Sequence, residues 1–284
     1  MTEHRTVTVN DQGESPNVVA GVHDEIIDTE IQGILEPLYA DSILFNGLGC
    51  RVYKGLPMGD IQIPAMTSTS SNWAGEIDEA QTTGVQFSHV TLSPKRITTQ
   101  IEISKLLLRQ DTHAAEEAIR RDLVNSLNNK LQETFFGVEN KSDIKPIGVF
   151  YNKELVEVED FADIADLEAT VDDANIKGSR KYVGSHKAKA AFRVMPKSAL
   201  TNELMMNSGE IDGTQYLATS SIADKKFIYG NFEDGIALAS WGDTEIIVDP
   251  YSTAARGTVR IILNGYFDWC FLRPEALVFG KIKE

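Results

Sequence analysis

Residues 114–137 read AAEEAIRRDLVNSLNNKLQETFFG, and they carry the clearest periodicity in this 284-residue chain. An apolar residue recurs every four positions, which is close to the spacing of one helix face. Asp111 and Thr112 are N-cap candidates, and Gly137 follows as a stop signal. The pattern predicts a helix of roughly 25 residues, about 37 Å long, whose apolar stripe drifts around the axis. Such a helix suits a spine crossed by strands. The stripe is Ala115, Ile119, Leu123, Leu127, Leu131 and Phe135.

The segment before this helix predicts strands around a long polar arm. Ile97, Thr99, Ile101 and Ile103 alternate on one face of a strand. Further upstream, residues 57–86 are rich in Ser, Thr, Gly, Gln and acidic side chains, with apolar strand signals at either end. Two strands flanking a polar tip predict a long hairpin. A loop longer than about 15 residues inside a compact domain is uncommon and usually functional.

The segments after the spine helix divide into two kinds. From Lys145 to Gly235 short strands and helices alternate, with a strand at Lys181 to Gly184 and a helix capped by Ser185. Near the C-terminus, apolar residues alternate from Val259 to Phe271, which predicts an unusually long strand of about 45 Å. A long strand and a long helix are natural packing partners.

Composition narrows the function classes. The formal net charge of −15 and the absence of a basic cluster disfavour sequence-specific nucleic-acid binding. Cys50 and Cys270 lie among apolar neighbours and are expected to be buried free thiols. The N-terminus lacks the apolar core of a secretion signal, and no apolar run is long enough to span a membrane.

No residue pattern indicates catalysis. None of the five histidines stands at metal-ligand spacing from another histidine or a cysteine, and there is neither a nucleophile elbow nor a phosphate-binding loop. We therefore expect no catalytic, cofactor-binding or metal-binding residues. Trp73 is different, because an aromatic side chain on a polar arm is typical of an interface anchor. The chain is expected to be a structural or assembly protein and not an enzyme.

The order of these parts resembles the major capsid proteins of tailed bacteriophages, which have the Hong Kong 97 type fold shared with encapsulins. FSHVTLSPKRITTQIEISKLLLRQD at 87–111 resembles the strand that leaves the family's extended loop and enters the spine, and residues 114–137 resemble the spine itself. FIYGNFEDGIALASWGDTEIIVDPYS at 227–252 resembles a passage of the axial domain, and GYFDWCFLRPEALVFGKI at 265–282 the closing strands. The resemblance covers residues 22 to 284.

The resemblance implies an α+β fold with five parts. These are an N-terminal arm at 1–21, an N-terminal helix and connection at 22–53, an extended loop at 54–94, a peripheral domain at 95–142 and 236–284, and an axial domain at 143–235. Residues Val22 to Leu38 show helical spacing that fits the second part. The extended loop would lie over a neighbouring subunit. Its candidate inter-subunit contact residues are Ile61, Ile63, Met66, Trp73, Glu76, Val85 and Phe87.

The resemblance also implies partners and a place of action. The chain would assemble as a homo-oligomer, through pentamers and hexamers, into an icosahedral head that encloses double-stranded DNA without reading its sequence. Assembly would take place in the bacterial cytoplasm, with no membrane, and the protein would end in the virion. A portal, a maturation protease and a separate scaffolding protein are possible partners. Only about 20 residues precede the first predicted helix, so a separate scaffold, no scaffold, or a processed chain all stay open.

One departure and two alternatives accompany this interpretation. Some family members crosslink the shell from a lysine on the extended loop, but residues 58–94 contain no lysine, so no such isopeptide bond is expected. An encapsulin shell is the first alternative, since an amphipathic helix at Val22 to Leu38 would suit one. A soluble enzyme with residues 57–86 as a lid is the second. A deep pocket lined by titratable groups with perturbed pKa values would favour that enzyme.

Overall fold

The computed structural model describes residues 42–66, 87–106, 112–198 and 203–283. The predicted N-terminal arm, the helix from Val22 to Leu38 and the Asp111 cap lie outside the described residues. In chain order the strands are β1 (Arg51–Leu56), β2 (Ile61–Met66), β3 (Phe87–Leu92), β4 (Lys95–Ser104), β5 (Val156–Val158), β6 (Lys181–Ser185), β7 (Met206–Asn207), β8 (Glu210–Ile211), β9 (Thr214–Thr219), β10 (Lys226–Gly230), β11 (Ile236–Asp249), β12 (Thr258–Phe271) and β13 (Leu277–Ile282). The α-helices are α1 (Thr112–Phe135), α2 (Phe161–Asp173), α3 (His186–Phe192) and α4 (Phe232–Gly235). A π-helical turn covers Ile43–Gly47, and 3₁₀ turns cover Ala254–Arg256 and Pro274–Ala276.

Four strands form the first sheet, in the order β1, β11, β12, β4. β12 is the long strand predicted from the alternating C-terminal pattern, and it pairs antiparallel with both β11 and β4. β1 pairs parallel with β11 at the edge and was not predicted, because Arg51–Leu56 contains too few apolar residues to show alternation. The first sheet therefore combines the chain's middle and its C-terminal part.

The spine helix α1 packs its stripe against this sheet, as predicted. Leu123, Leu127, Leu131 and Phe135 are between 0% and 4% exposed, and they lie in one core cluster with Leu263, Phe267 and Trp269 of β12. We call this the first core cluster. The Phe135 ring meets the Trp269 ring edge-on, with centroids 5.4 Å apart. The indole Nε1 of Trp269 donates to the Ile147 carbonyl at 2.6 Å, so the helix, the long strand and the following loop meet at one point.

Seven strands form the second sheet, in the order β5, β13, β10, β6, β9, β8, β7. The apolar spacing of Ile164, Leu167, Val171 and Ala174 predicts a helix, and the structure has α2 there. The predicted Ser185 cap is also confirmed, since Ser185 Oγ accepts from the Ala188 N–H at 3.1 Å. The second core cluster lies here and joins α2 and α3 to an aromatic group from β6, β9 and β10. Its aromatic members are Tyr182, Phe192, Tyr216, Phe227 and Tyr229.

The closing strand β13 differs from the expected domain division. Residues 236–284 were assigned together to the peripheral domain, but β13 pairs with β10 and β5 in the second sheet. The 3₁₀ turn at Pro274–Ala276 redirects the chain after β12, and the Leu272 N–H donates to the Gly235 carbonyl at 2.9 Å. Leu277 and Phe279 enter the first core cluster while Ile282 enters the second, so β13 is buried on both faces like a central strand.

Candidate assembly site

β2 and β3 form an antiparallel two-stranded ribbon, as the polar arm and its flanking strands predicted. Ile61 lies opposite Leu92 at one end and Met66 lies opposite Phe87 at the other. We call the end with Ile61 and Leu92 the root. A two-stranded ribbon is marginally stable alone, so its root needs a packing surface.

The root packs on the first sheet, on the face opposite α1. Ile63 and Leu92 join Ala237, Ala239, Trp241 and Cys270 in a third core cluster. Along β11, Ala237, Ala239 and Trp241 alternate with Ile236 and Leu238, which face α1 in the first core cluster. Alternate residues of a strand point to opposite faces, so the first sheet is covered by the helix on one side and by the ribbon root on the other.

Trp241 adds a polar contact to this packing. Its side chain is 1% exposed, and its Nε1 donates to the Gly59 carbonyl at 2.8 Å. Gly59 has a φ of 133°, a conformation that residues with a side chain rarely adopt. The chain thus turns into β2 through a glycine held against a buried indole.

A buried carboxylate holds the other strand of the root. Asp268 of β12 is fully buried, and its Oδ1 accepts from Lys95 Nζ at 3.2 Å and from the Trp269 N–H at 3.0 Å. Its Oδ2 accepts from the Ser93 N–H at 3.1 Å and lies 3.8 Å from Lys141 Nζ. Lys141 Nζ also donates to the Thr91 carbonyl at 3.3 Å. We call this group of six residues the Asp268 junction.

The electrostatics of the Asp268 junction depend on burial. The Lys95 side chain is only 4% exposed, and burial lowers the pKa of its ammonium because the charged form loses hydration. Asp268 offsets part of that shift through its charge and its hydrogen bond. The Lys141 side chain is 45% exposed, so the junction has one dry cation and one that reaches water.

The predicted contact residues fall into three groups. Ile63 is buried in the third core cluster and Ile61 packs against it, so these two side chains stabilise the root within the protomer. Met66 and Phe87 form the last described pair of the ribbon. Trp73, Glu76 and Val85 lie outside the described residues.

Sequence reasoning interpreted Trp241 as an anchor or core residue, and it missed Lys141 and Asp268. The last carried a usable signal, because it is the one charged residue within GYFDWCF at 265–271, a run whose aromatic neighbours predict a buried strand. A charge inside such a run is costly unless it is paired. Lys141 carried no signal, since its proximity to Asp268 depends on how the loop after α1 folds back.

The far end of the first sheet exposes apolar side chains. Between β11 and β12 the chain turns at Asp249, whose carboxylate accepts from the N–H groups of Tyr251 and Ser252 and from the Ser252 hydroxyl. These donors lower the pKa of Asp249 to about 2. Val248 is 54% exposed and Tyr251 85%, so this turn presents apolar surface to solvent.

Tyr182 of β6 forms a hydrogen bond with Glu168 of α2. The Tyr182 hydroxyl donates to Glu168 Oε1 at 2.5 Å, and burial raises the pKa of both groups. The Tyr182 ring lies among the aromatic members of the second core cluster, with its centroid 4.5 Å from that of Tyr229. Its position assigns it to packing of the second sheet.

Between residues 42 and 283, leaving out the gaps given above, no group of three or more His, Cys, Asp or Glu side chains is placed to hold a metal ion. In the same ranges, no helix has the length and apolar character to cross a membrane.

Comparison with solved structures identifies the fold as the Hong Kong 97 capsid type. A chain of Mycobacterium phage Bobi superposes with a TM-score of 0.66 at 10% identity, covering 83% of this chain and 89% of that one. A chain of Gordonia phage Cozz gives 0.63 at 14% identity, covering 86% and 87%. The capsid of an empty GTA particle gives 0.64 at 16% identity, covering 83% and 88%.

Sequence comparison then gives the family. The model of the phage capsid family matches residues 28–282, and the chain belongs to that family. The major capsid protein of Halomonas phage phiHAP-1 is 24% identical over 264 residues, which is 90% of this chain. The chain spans 43% of the length of that relative.

Proposed function

We propose that this chain is the major capsid protein of a tailed phage or prophage. It assembles through pentamers and hexamers into an icosahedral head that encloses double-stranded DNA. The observation that carries the proposal is the family match over residues 28–282, which includes every described element. This match favours a phage head over an encapsulin shell and over an enzyme with a lid.

The ribbon is the element to which we assign the contact with a neighbouring subunit. Its root is fixed to the protomer by the third core cluster. We therefore assign the contact to the other end of the ribbon, where Met66 pairs with Phe87, and to residues 67–86. Trp73 is the leading anchor, with Met66, Glu76, Val85 and Phe87 as further contact residues. In such a contact one surface of a subunit meets a different surface of the next subunit. Repeated contacts of this type form a ring when the rotations between successive subunits add up to a full turn.

The remaining assignments follow from the same proposal. The predicted arm at 1–21 and the axial part at 143–235 contact neighbouring subunits. Assembly takes place in the bacterial cytoplasm, and a separate scaffolding protein, a portal and a maturation protease are the candidate partners. The net charge of −15 supports enclosure of DNA without tight or sequence-specific contact.

Electron microscopy of the purified protein, with light scattering on the same sample, tests the proposal. Closed shells, or rings of five and six subunits, are the expected result. Trp73→Ala should reduce assembly, whereas the matched control Tyr151→Ala, in the loop after α1, should assemble like the unmodified protein. A monodisperse monomer that stays monomeric when the co-encoded scaffold is added would refute the shell function.

A further inference from the structure

We propose that Asp268 is a positioning residue that fixes the direction in which the β2–β3 ribbon leaves the first sheet. The Asp268 junction joins three separate parts of the chain through one buried carboxylate. These parts are the exit of the ribbon at Thr91 to Lys95, the long strand β12, and the loop after α1 at Lys141.

The apolar contacts of the root do not supply this direction. Burial of Ile63 and Leu92 in the third core cluster is favourable, but the hydrophobic effect is non-directional. A ribbon could rotate over the small side chains of Ala237 and Ala239 while keeping most of that burial. Hydrogen bonds weaken steeply with angle, so the bonds to Asp268 restrict the rotation that the apolar contacts permit.

The position of the junction favours such a role. Ser93 lies in the two-residue link between β3 and β4, which is the bend where the ribbon departs from the first sheet. Its N–H and the Lys95 ammonium bind different oxygens of the same carboxylate. The two sides of the bend are therefore held by one rigid, planar group.

The charges of the Asp268 junction favour the observed direction of the ribbon over other directions. Asp268 faces two cations, and within the described part of the chain Lys95 and Lys141 form their ion pairs with this carboxylate. Asp143 acts on Lys95 through its charge. If the ribbon turned away, Ser93 and Thr91 would lose their partners and a buried carboxylate would keep only part of its hydrogen bonds, which is unfavourable.

The consequence for assembly rests on the proposed function. A strand of six residues spans about 20 Å, so a rotation of about 10° at the root moves the far end of the ribbon by about 3.5 Å. That displacement exceeds the range in which a hydrogen bond forms. The ribbon's direction therefore decides whether its far end meets its place on a neighbour, and Asp268 acts on assembly through the ribbon without touching the neighbour.

The test compares Lys141→Met with Lys145→Met in the unassembled full chain, by hydrogen exchange and mass spectrometry. Both lysines lie in the loop after α1 and form ion pairs, but the Lys145 ammonium pairs with Glu139, which lies in the same loop. Lys141→Met is expected to speed exchange in peptides covering 59–66 and 87–95 by about tenfold or more, with α1 and the second sheet unchanged. Lys145→Met is expected to leave all of these peptides unchanged.

Asp268→Asn is the stronger perturbation, because it removes the charge to which both lysines bind. It keeps the shape of the side chain. The same ribbon peptides should exchange faster still, and particles formed under assembly conditions should be irregular or absent for this variant and for Lys141→Met. Unchanged ribbon exchange in Lys141→Met would overturn the proposal, and so would faster exchange spread evenly over the chain, which would indicate a general stabilising role. Failure of the unmodified protein to assemble would count against the proposed function alone, since the exchange readout does not need a shell.

Discussion

Leu127→Ala tests the packing of α1 on the first sheet. Leu127 is 0% exposed at the centre of the helix stripe. The substitution removes three carbon groups, which costs about 2.4 kcal/mol at roughly 0.8 kcal/mol for each buried group. The cavity left behind adds about 24 cal/mol for each Å³ that does not collapse, so the free energy of unfolding should fall by about 3–4 kcal/mol. This is a large part of the roughly 5–15 kcal/mol that stabilises an ordinary domain.

Urea denaturation of unassembled protein, followed by tryptophan fluorescence and far-ultraviolet circular dichroism, measures this loss. The slope against urea should be unchanged while the midpoint falls, by about 1 M for a slope of about 3 kcal/mol/M. Asn129→Ala is the matched control on the same helix. Asn129 is exposed, so its replacement should change the free energy of unfolding by less than about 0.5 kcal/mol. A loss below about 1 kcal/mol for Leu127→Ala, or equal losses for both variants, would refute the packing of the stripe.

Three further predictions follow from local geometry. Gly148→Ala would place a Cβ 2.2 Å from the Gly137 carbonyl oxygen just after α1, and it should lower the free energy of unfolding by about 1–3 kcal/mol. Gly47→Ala is the control, because its Cβ would meet nothing closer than 3.4 Å and the protein should keep its stability; thermal melting compares the two variants. Burial raises the pKa of Cys50 to about 12 and of Cys270 to about 11, so at pH 8 a thiol reagent should label the folded protein only as fast as it opens. The pKa of Asp249 is lowered to about 2, so its contribution to stability should be complete above about pH 4 and be lost as the pH falls through 2; a carboxyl titration by NMR with a midpoint near 3.9 would contradict this.

Much of the fold could be predicted because several elements carry strong local periodicity. The stripe from Leu123 to Phe135 and the alternation from Val259 to Phe271 each state which side chains face the core, and both are confirmed. β1 could not be found this way, since an edge strand with mostly exposed residues needs no alternation. β13 was recognised as apolar, but its sheet depends on the turn at Pro274–Ala276, and a run buried on both faces does not say which strands it joins.

The candidate site was predictable only in outline. The polar composition of residues 57–86 and the alternation of Ile61 and Ile63 indicated the ribbon, and the structure pairs its strands as expected. The same apolar residues were assigned to contacts with another subunit, whereas the root uses Ile63 within the protomer. Alternation in the sequence indicates that a side chain is buried. Whether the same protomer or a neighbouring subunit buries it depends on the tertiary fold, which alternation does not show.

At position 268 the local sequence rules favour an apolar residue, whereas the proposed function needs a carboxylate. An aspartate between Phe267 and Trp269 weakens the strand pattern, and an apolar residue at a position with no exposed surface would satisfy the local rules better. Buried ion pairs are weak evidence for stability, because replacing all partners by apolar groups is often neutral or favourable. A directional role explains why a carboxylate is useful here, since only a group with several fixed acceptor positions can hold the N–H of Ser93 and the ammonium of Lys95 at once. If stability were its whole purpose, replacing Asp268, Lys95 and Lys141 together by Leu, Met and Met should give a protein as stable as the original that assembles equally well. A directional role instead predicts that such a triple variant folds and fails to build regular particles.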